Sequence, residues 1–190
     1  YDVDGEILDG WSSARLIYES LYRYSALLVG CGLGMSRQTR TLIDCLILSN
    51  MHLPPLVIDA DGLNIISKFY KWWDRLPEQS ILTPHVGEMS RLTGLSVEQI
   101  QADRLGVVKT YSKEWQKVVV LKGANTLVGE PNGSVWISGV ANPALASAGT
   151  GDVLSGIISG FASQGLGLAD SAVLGVYVHA AAGGVISERT

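Results

Sequence analysis

Apolar residues fall along this chain in two different patterns. Leu154, Ile157, Ile158 and Phe161 fall at i, i+3, i+4 and i+7, which predicts a helix beginning near Gly151 and running over 152–163. A second helix is predicted over 169–187, and Leu16, Ile17, Leu21 and Tyr24 mark an earlier one over 13–24. Against these stand short continuous apolar runs: Ala26–Gly30, Leu56–Asp59, Ile81–Thr83 and Val118–Leu121. Such runs, closed by glycine or polar residues, read as buried strands. Thr126–Val128 and Val135–Ile137 flank Glu130-Pro131-Asn132-Gly133, a hairpin turn. Ser36 can cap a helix through about Leu48, Val86–Thr93 reads as a helix, and Ser96 with Gln99 fits a capping box for another. Strands alternating with helices in this way predict an α/β fold with a largely parallel sheet covered on both faces.

The polar and glycine residues are not spread evenly. They cluster just after four predicted strands, at 30–34, 59–62, 83–85 and 122–123. Open α/β sheets bind ligands beyond the carboxyl ends of their strands, so these clusters share one candidate edge. The glycine-rich stretch Asn142–Gly151 leads to the same place through the start of the 152–163 helix. Free N–H groups and the helix dipole make that start an anion site, and glycine lets a phosphate come close. Asp152 then stands as a carboxylate inside an anion site. It is either a base for a hydroxyl attacking that phosphate or a solvated helix-start residue.

The other clusters each carry two readings. Gly30-x-Gly32-x-Gly34 is a nucleotide cradle or a tight turn, and it lacks the final spacing of a dinucleotide fingerprint. Asp59 and Asp61 could organise Mg²⁺ through water or cap the following helix. His85, in Thr83-Pro84-His85-x-Gly87-Glu88, points to ligand contact, whereas His52 and His179 read as structural. Lys122-Gly123-Ala124-Asn125-Thr126 can meet phosphates or form an ordinary turn. Phe69, Tyr70, Trp72 and Trp73 lack a basic stripe and read as a packed or oligomer-facing patch. Gly156-x-x-x-Gly160 reads as close packing of a helix.

Composition narrows the classes. The 190 residues are 47% hydrophobic and 17% charged, which supports a large core and excludes disorder. A net charge of −4 with scattered basic residues argues against a nucleic-acid surface. Cys31 and Cys45 form no metal or disulfide framework and fit a reducing cytoplasm. No signal peptide and no membrane-length apolar run is expected.

Taken in order, five segments resemble one family: Val29-Gly30-Cys31-Gly32-Leu33-Gly34, Asp59-Ala60-Asp61-Gly62-Leu63-Asn64, Leu82-Thr83-Pro84-His85-x-Gly87-Glu88, Val120-Leu121-Lys122-Gly123-Ala124-x-Thr126 and Ala148-Gly149-Thr150-Gly151-Asp152-Val153-Leu154. They are similar to those of the ADP- or ATP-dependent NAD(P)H-hydrate dehydratases over about residues 26–185. The resemblance implies a ribokinase-like, three-layer α/β/α fold with a mostly parallel central sheet. It implies a lyase of metabolite repair. The terminal phosphoryl of ADP (or ATP) would pass to the ring hydroxyl of (6S)-NADHX or NADPHX, and loss of phosphate would restore NADH or NADPH. On that resemblance Asp152 is the base, and amides of Gly149, Thr150 and Gly151 form the anion hole. Lys122, Gly123, Ala124, Asn125 and Thr126, with Gly151, hold the nucleotide. Gly34, His85 and Asp152 meet the hydrated dinucleotide, and Mg²⁺ sits between phosphates.

The resemblance further implies a homo-oligomer, tetrameric or larger, and an epimerase domain in the full-length protein. Cys31 stands where the family usually has proline, a change expected to alter loop rigidity more than chemistry. Residues 1–190 are expected to be one domain lacking the family's first strand–helix segment, and inactive as an isolated piece. Two rival functions remain, of which the first shares Gly-x-Gly-Asp. One is a kinase of the same fold for a vitamin precursor of hydroxyethylthiazole or pyridoxal type. The other is a non-catalytic nucleotide-binding assembly module.

Overall fold

The short apolar runs pair in sequence order. In the computed structural model, which describes residues 9–49, 51–139, 147 and 149–187, they form one six-stranded sheet ordered β1 to β6. The strands are β1 (Leu27–Val29), β2 (Leu56–Ile58), β3 (Ser80–Leu82), β4 (Val118–Leu121), β5 (Leu127–Gly129) and β6 (Val135–Ile137). The first four run parallel, with Val29 opposite Ile58 and Ile58 opposite Leu82. The β4–β5–β6 hairpins are antiparallel. The parallel register brings the ends of β1, β2 and β3 side by side, so the loops leaving these strands share one edge.

Alternation along each strand divides the core. Leu56, Ile58, Leu82, Val119 and Leu121 face one layer of helices. Those helices are α1 (Gly10–Ser20), α2 (Arg37–Leu46), α3 (Ala60–Ile66), α4 (Trp72–Arg75), α5 (Val86–Thr93), α6 (Val97–Ala102) and α7 (Arg104–Trp115). Val57, Ile81, Val118 and Val120 face the other layer, made by α8 (Thr150–Ser163) and α9 (Leu168–Ser187), where Leu154, Ile158, Ala172 and Val176 pack on them. Burial on both faces explains why β2 and β4 read as unbroken apolar runs, while β3 admits one polar residue, the buried Ser80, whose hydroxyl donates to the Pro77 carbonyl. The result is the three-layer α/β/α arrangement expected from the sequence.

Several expectations shift. The first helix begins at Gly10, capped by Asp9, and ends at Ser20 in a 3₁₀ turn over Leu21–Arg23. The second stops at Leu46, short of Leu48. The helix expected after Ser96 is two helices, because Asp103 leaves helical geometry (φ −145°, ψ 65°) and recaps the chain by accepting from the Gly106 amide. A Cβ at Gly156 or Gly160 would meet nothing within 4 Å, so the close packing expected there is absent among the described residues. It occurs instead at Gly175 of α9, which receives Ile158 of α8. No membrane-length apolar run was expected, yet Leu168–Val185 of α9 is long and apolar enough to cross a bilayer, with mean hydropathy 1.3. In this fold Ala172, Val176 and Ala180 of that helix are buried. Of the aromatic group, Trp72 is buried edge-on against Trp115, with ring centroids 4.7 Å apart, while Tyr70 is 86% exposed.

Candidate active site

The strand ends are held together by close approach and by buried polar groups. At the end of β1, Gly30 has φ +129° and any Cβ would overlap the Asp59 carbonyl oxygen, so only glycine fits. The following turn is tied down by Asp61, whose Oδ2 accepts from the Gly34 amide at 2.8 Å.

Asp59, at the end of β2, is completely buried and fully engaged. Its Oδ1 accepts from Lys122 Nζ at 2.6 Å and from the Ala60 amide at 2.8 Å. Its Oδ2 accepts from Ser155 Oγ of α8 at 2.5 Å. Ser155 also lies 3.3 Å from Thr83 Oγ1 at the end of β3. One carboxylate therefore joins β2, β3, β4 and α8. Lys122 Nζ sits 3.8 Å from Oε2 of Glu88, a second buried carboxylate, whose pKa burial raises. A buried charge without partners is costly, and here one ammonium lies between two carboxylates.

Glu88 belongs to the start of α5, which is closed by its own residues. His85 Nδ1 accepts from the amides of Gly87 (2.9 Å) and Glu88 (3.2 Å), and Glu88 Oε2 accepts from the His85 amide at 2.8 Å. This is a reciprocal capping box, with imidazole in the usual hydroxyl's place. His85 keeps 54% of its side chain exposed toward solvent. Partial burial, then the charges of Lys122 and Arg91, lower its pKa below 6.5.

The start of α8 is open. Gly149 occupies the cap position in left-handed geometry (φ 87°) and offers no side chain. Thr150 donates through its amide and hydroxyl to the Ser147 carbonyl, whereas the Gly151 and Asp152 amides find no acceptor among the described residues. A Cβ on Gly151 would lie 3.4 Å from Lys122 Nζ, so the buried ammonium backs this turn. Asp152 is exposed, yet its carboxylate turns toward the strand ends. One oxygen each of Asp152 and Asp59 and Sγ of Cys31 all lie within 4.8 Å of one another. Burial pushes the Cys31 thiol up to about 12, assisted by a hydrogen bond to Asp152, so it is protonated at neutral pH and acts as a donor to that carboxylate.

The loop after β4 completes the edge. The Lys122 amide donates to the Pro84 carbonyl at 2.8 Å, and Thr126 Oγ1 donates to the Gly123 carbonyl at 3.1 Å. Gly123, Ala124 and Asn125 are exposed.

The structure thus gathers Asp152, Gly151, Thr150, Gly149, Lys122, Asp59 and His85 at one edge, with Gly34 and Asp61 on its flank. Asn142–Ala146 and Ala148, which lead into the glycine turn, lie outside the described residues. Both oxygens of Asp59 and one oxygen of Asp61 accept from protein donors, so the two carboxylates hold this edge together. Sequence reasoning passed over Ser155 and Arg104. Ser155 carries a faint signal, a hydroxyl between Leu154 and Ile158 on the apolar face. Arg104 carries none, since only the topology sets it beneath the β4 loop. His179, read as structural, hydrogen-bonds the Thr150 backbone and so ties α9 to the first turn of α8.

A mostly parallel sheet between two helical layers, its strand ends converging on an uncapped helix start, defines a ribokinase-like α/β domain. A ribokinase-like superfamily protein of Enterococcus faecalis has this fold, with a TM-score of 0.79 at 24% identity over 94% of this chain and 61% of its own. Residues 3–190 match the family model of the NAD(P)H-hydrate dehydratases, and the chain belongs to that family. It is 42% identical over 167 residues to the bifunctional NAD(P)H-hydrate repair enzyme of Moorella thermoacetica, covering 88% of this chain and 31% of that protein. The ADP/ATP-dependent NAD(P)H-hydrate dehydratase of Bacillus subtilis, crystallised with ATP and Mg²⁺, is 32% identical with a TM-score of 0.70, over 83% of this chain and 56% of its own. The chain therefore spans between about a third and just over half of these relatives' lengths.

Proposed function

We propose that the protein carrying this chain dehydrates (6S)-NADHX or NADPHX to NADH or NADPH, using ADP or ATP. The carrying observation is the Asp152 carboxylate at an uncapped helix start, within 4.8 Å of the buried Asp59 that anchors Lys122. The Gly151 and Asp152 amides of the α8 start, unpaired among the described residues, receive the transferred phosphoryl, and the dipole of the 14-residue helix favours its negative charge. Asp152 takes the proton of the ring hydroxyl as its oxygen attacks phosphorus and the nucleotide's bridging oxygen leaves. The carbon–oxygen bond then breaks, phosphate departs with the bonding pair, and the ring loses a proton from the neighbouring carbon to restore its double bond. Hydroxide is a poor leaving group and phosphate a good one, which is the reason for consuming a nucleotide.

Lys122 acts here from below, as a charge behind the α8 turn. Its ammonium is already bound to Asp59, so direct reach to phosphate is left to the backbone of the 123–126 loop. We infer that Mg²⁺ arrives on the nucleotide's phosphates and waters, since both oxygens of Asp59 already accept from Lys122, Ala60 and Ser155. A homo-oligomer and an epimerase partner belong to the same proposal.

The test uses the full-length protein with NADHX, ADP and Mg²⁺. Recovery of the NADH absorbance band, dependent on ADP and lost in Asp152→Asn, is the expected outcome. A phosphorylated organic product without NADH would convert the reading to a small-molecule kinase. Nucleotide binding without any turnover would convert it to an assembly module.

A further inference from the structure

We propose that Arg104, at the start of α7, is the positioning residue that turns the 122–126 loop into a phosphate-binding surface. This rests on the reading of that loop as the nucleotide side of the site. Arg104 Nη1 donates to the Ala124 carbonyl at 2.5 Å, and Nη2 donates to those of Leu121 (3.3 Å) and, more weakly, Lys122 (3.5 Å). One guanidinium thus collects three carbonyls of a short loop on the α7 side.

Peptide geometry then fixes where the loop's amides point. None of the described peptide bonds is cis, and a planar trans unit directs its C=O and the next N–H in opposite directions. The Leu121–Lys122 unit shows this: its carbonyl faces Arg104 and its amide donates away, to Pro84. By the same rule the Gly123 and Asn125 amides point away from Arg104. Neither finds an acceptor among the described residues. Since α7 and α8 cover opposite faces of the sheet, we place these two donors on the side away from α7, where α8 opens. The backbone is bent to allow it, with φ +148° at Gly123 and +55° at Asn125. A Cβ on Gly123 would come within 2.9 Å of Arg104 Nη2, so the guanidinium lies directly beneath that residue.

Charge points the same way. No carboxylate pairs with Arg104 among the described residues, and its Nε is buried without an acceptor. Arginine keeps its proton in proteins, so an uncompensated cation lies under two outward-facing amides. A polyphosphate bound there gains both the amide hydrogen bonds and the field of the cation. The hydrated nicotinamide gains neither.

The experiment compares Arg104→Met, Arg104→Lys, Arg104→Ala and the unaltered chain, each within the full-length protein, by calorimetric titration with Mg·ADP and, as a control ligand, NADPH. Circular dichroism and thermal melts establish that each variant is folded. Arg104→Met should weaken Mg·ADP binding at least about tenfold while NADPH binding changes less than about twofold. Arg104→Lys, which keeps charge but not the fork, should fall between. Guanidinium ion at ~20 mM should restore part of the lost affinity to Arg104→Ala, because it refills the same pocket. Equal loss for both ligands, or an unchanged Mg·ADP affinity in folded Arg104→Met, overturns the inference and leaves the nucleotide loop standing. Should Arg104→Met fail to fold, an Arg104→Lys affinity for Mg·ADP equal to that of the unaltered chain overturns it. Absence of Mg·ADP binding to the unaltered chain removes the loop's role itself, and the inference with it.

Discussion

Helices α5 and α8 begin at the same edge of the sheet and are built in opposite ways. The first turn of α5 is satisfied from within, by the His85 imidazole and the Glu88 carboxylate. The first turn of α8 has a glycine at its cap and, among the described residues, no side-chain acceptor and two amides left over. A helix start is a generic anion site only while its donors are free. Of these two neighbours, α5 has spent its donors on its own stability and α8 has kept them. That difference, rather than the glycine motif alone, singles out α8 as the place for a phosphoryl group. It also separates the roles of two acidic side chains. Glu88 sits in its helix's first turn as a cap, whereas Asp152 sits in the equivalent turn without any capping duty.

The largest effect expected from this contrast is at Asp152. Asp152→Asn keeps the shape and removes the base, so turnover by the full-length protein should fall by about 10³-fold, within the range for general acid–base catalysis. Affinity for Mg·ADP, measured by titration, should stay within about threefold, because the amides are untouched. A comparable loss in affinity would make Asp152 a binding residue instead. Next comes the frame beneath α8. Asp59→Ala strands the Lys122 ammonium, 17% exposed, beside a void, and breaking such a buried pair costs about 3–5 kcal/mol. Denaturant unfolding should register that loss. A change below about 1 kcal/mol would mean that Lys122 reorganises onto Glu88.

Much of this edge is legible in the residue order alone. Continuous apolar runs and the period-3.6 pattern locate the six strands and the last two helices, because burial on both faces makes β2 and β4 wholly apolar. The strand-end clusters announce a shared edge for the same topological reason. Hidden from the sequence is which polar atom satisfies which. Nothing in Asp59-Ala60-Asp61 says that Asp59 is consumed by Lys122 and Ser155, distant in sequence, or that Asp61 serves the Gly34 amide. Nor does Thr-Pro-His reveal that the imidazole caps its own helix. Arg104 is invisible because its partners are carbonyl oxygens, which every residue has. The Gly156 and Gly160 spacing misleads for the converse reason: two small residues a turn apart permit close approach, but only a partner makes it happen.

The contrast can be broken directly by closing α8. Gly149→Asp would supply a carboxylate at the cap position to compete for the Gly151 and Asp152 amides. The φ of 87° adds strain of about 1 kcal/mol for a non-glycine residue, least for Asp and Asn. With its donors occupied and a negative charge added, the site should bind Mg·ADP about tenfold more weakly. Gly149→Asn is the control, as it caps without the charge. If Gly149→Asp binds nucleotide as well as the unaltered chain does, the open turn of α8 is not where phosphate sits.

The converse change opens α5. His85→Ala removes the acceptor for two amides and should lower stability by about 1 kcal/mol, the usual worth of an N-cap. The cap also makes a pH prediction, because only the neutral ring has a lone pair on Nδ1 to accept with. Partial burial and the nearby cations hold the folded pKa below the ordinary 6.5, so the fold favours the neutral form. A depressed histidine contributes stability that is fully present above its unfolded pKa and is lost as pH falls through the folded value. His179, also lowered by burial, has the same sign, while Glu88, raised by burial, has the opposite one. Both remain in His85→Ala, so the difference in melting temperature between the two proteins isolates the cap. That difference should shrink as the pH is taken from about 7.5 to about 5.5. A difference that stays constant over this range would show that the imidazole holds the start of α5 by packing and not through its lone pair.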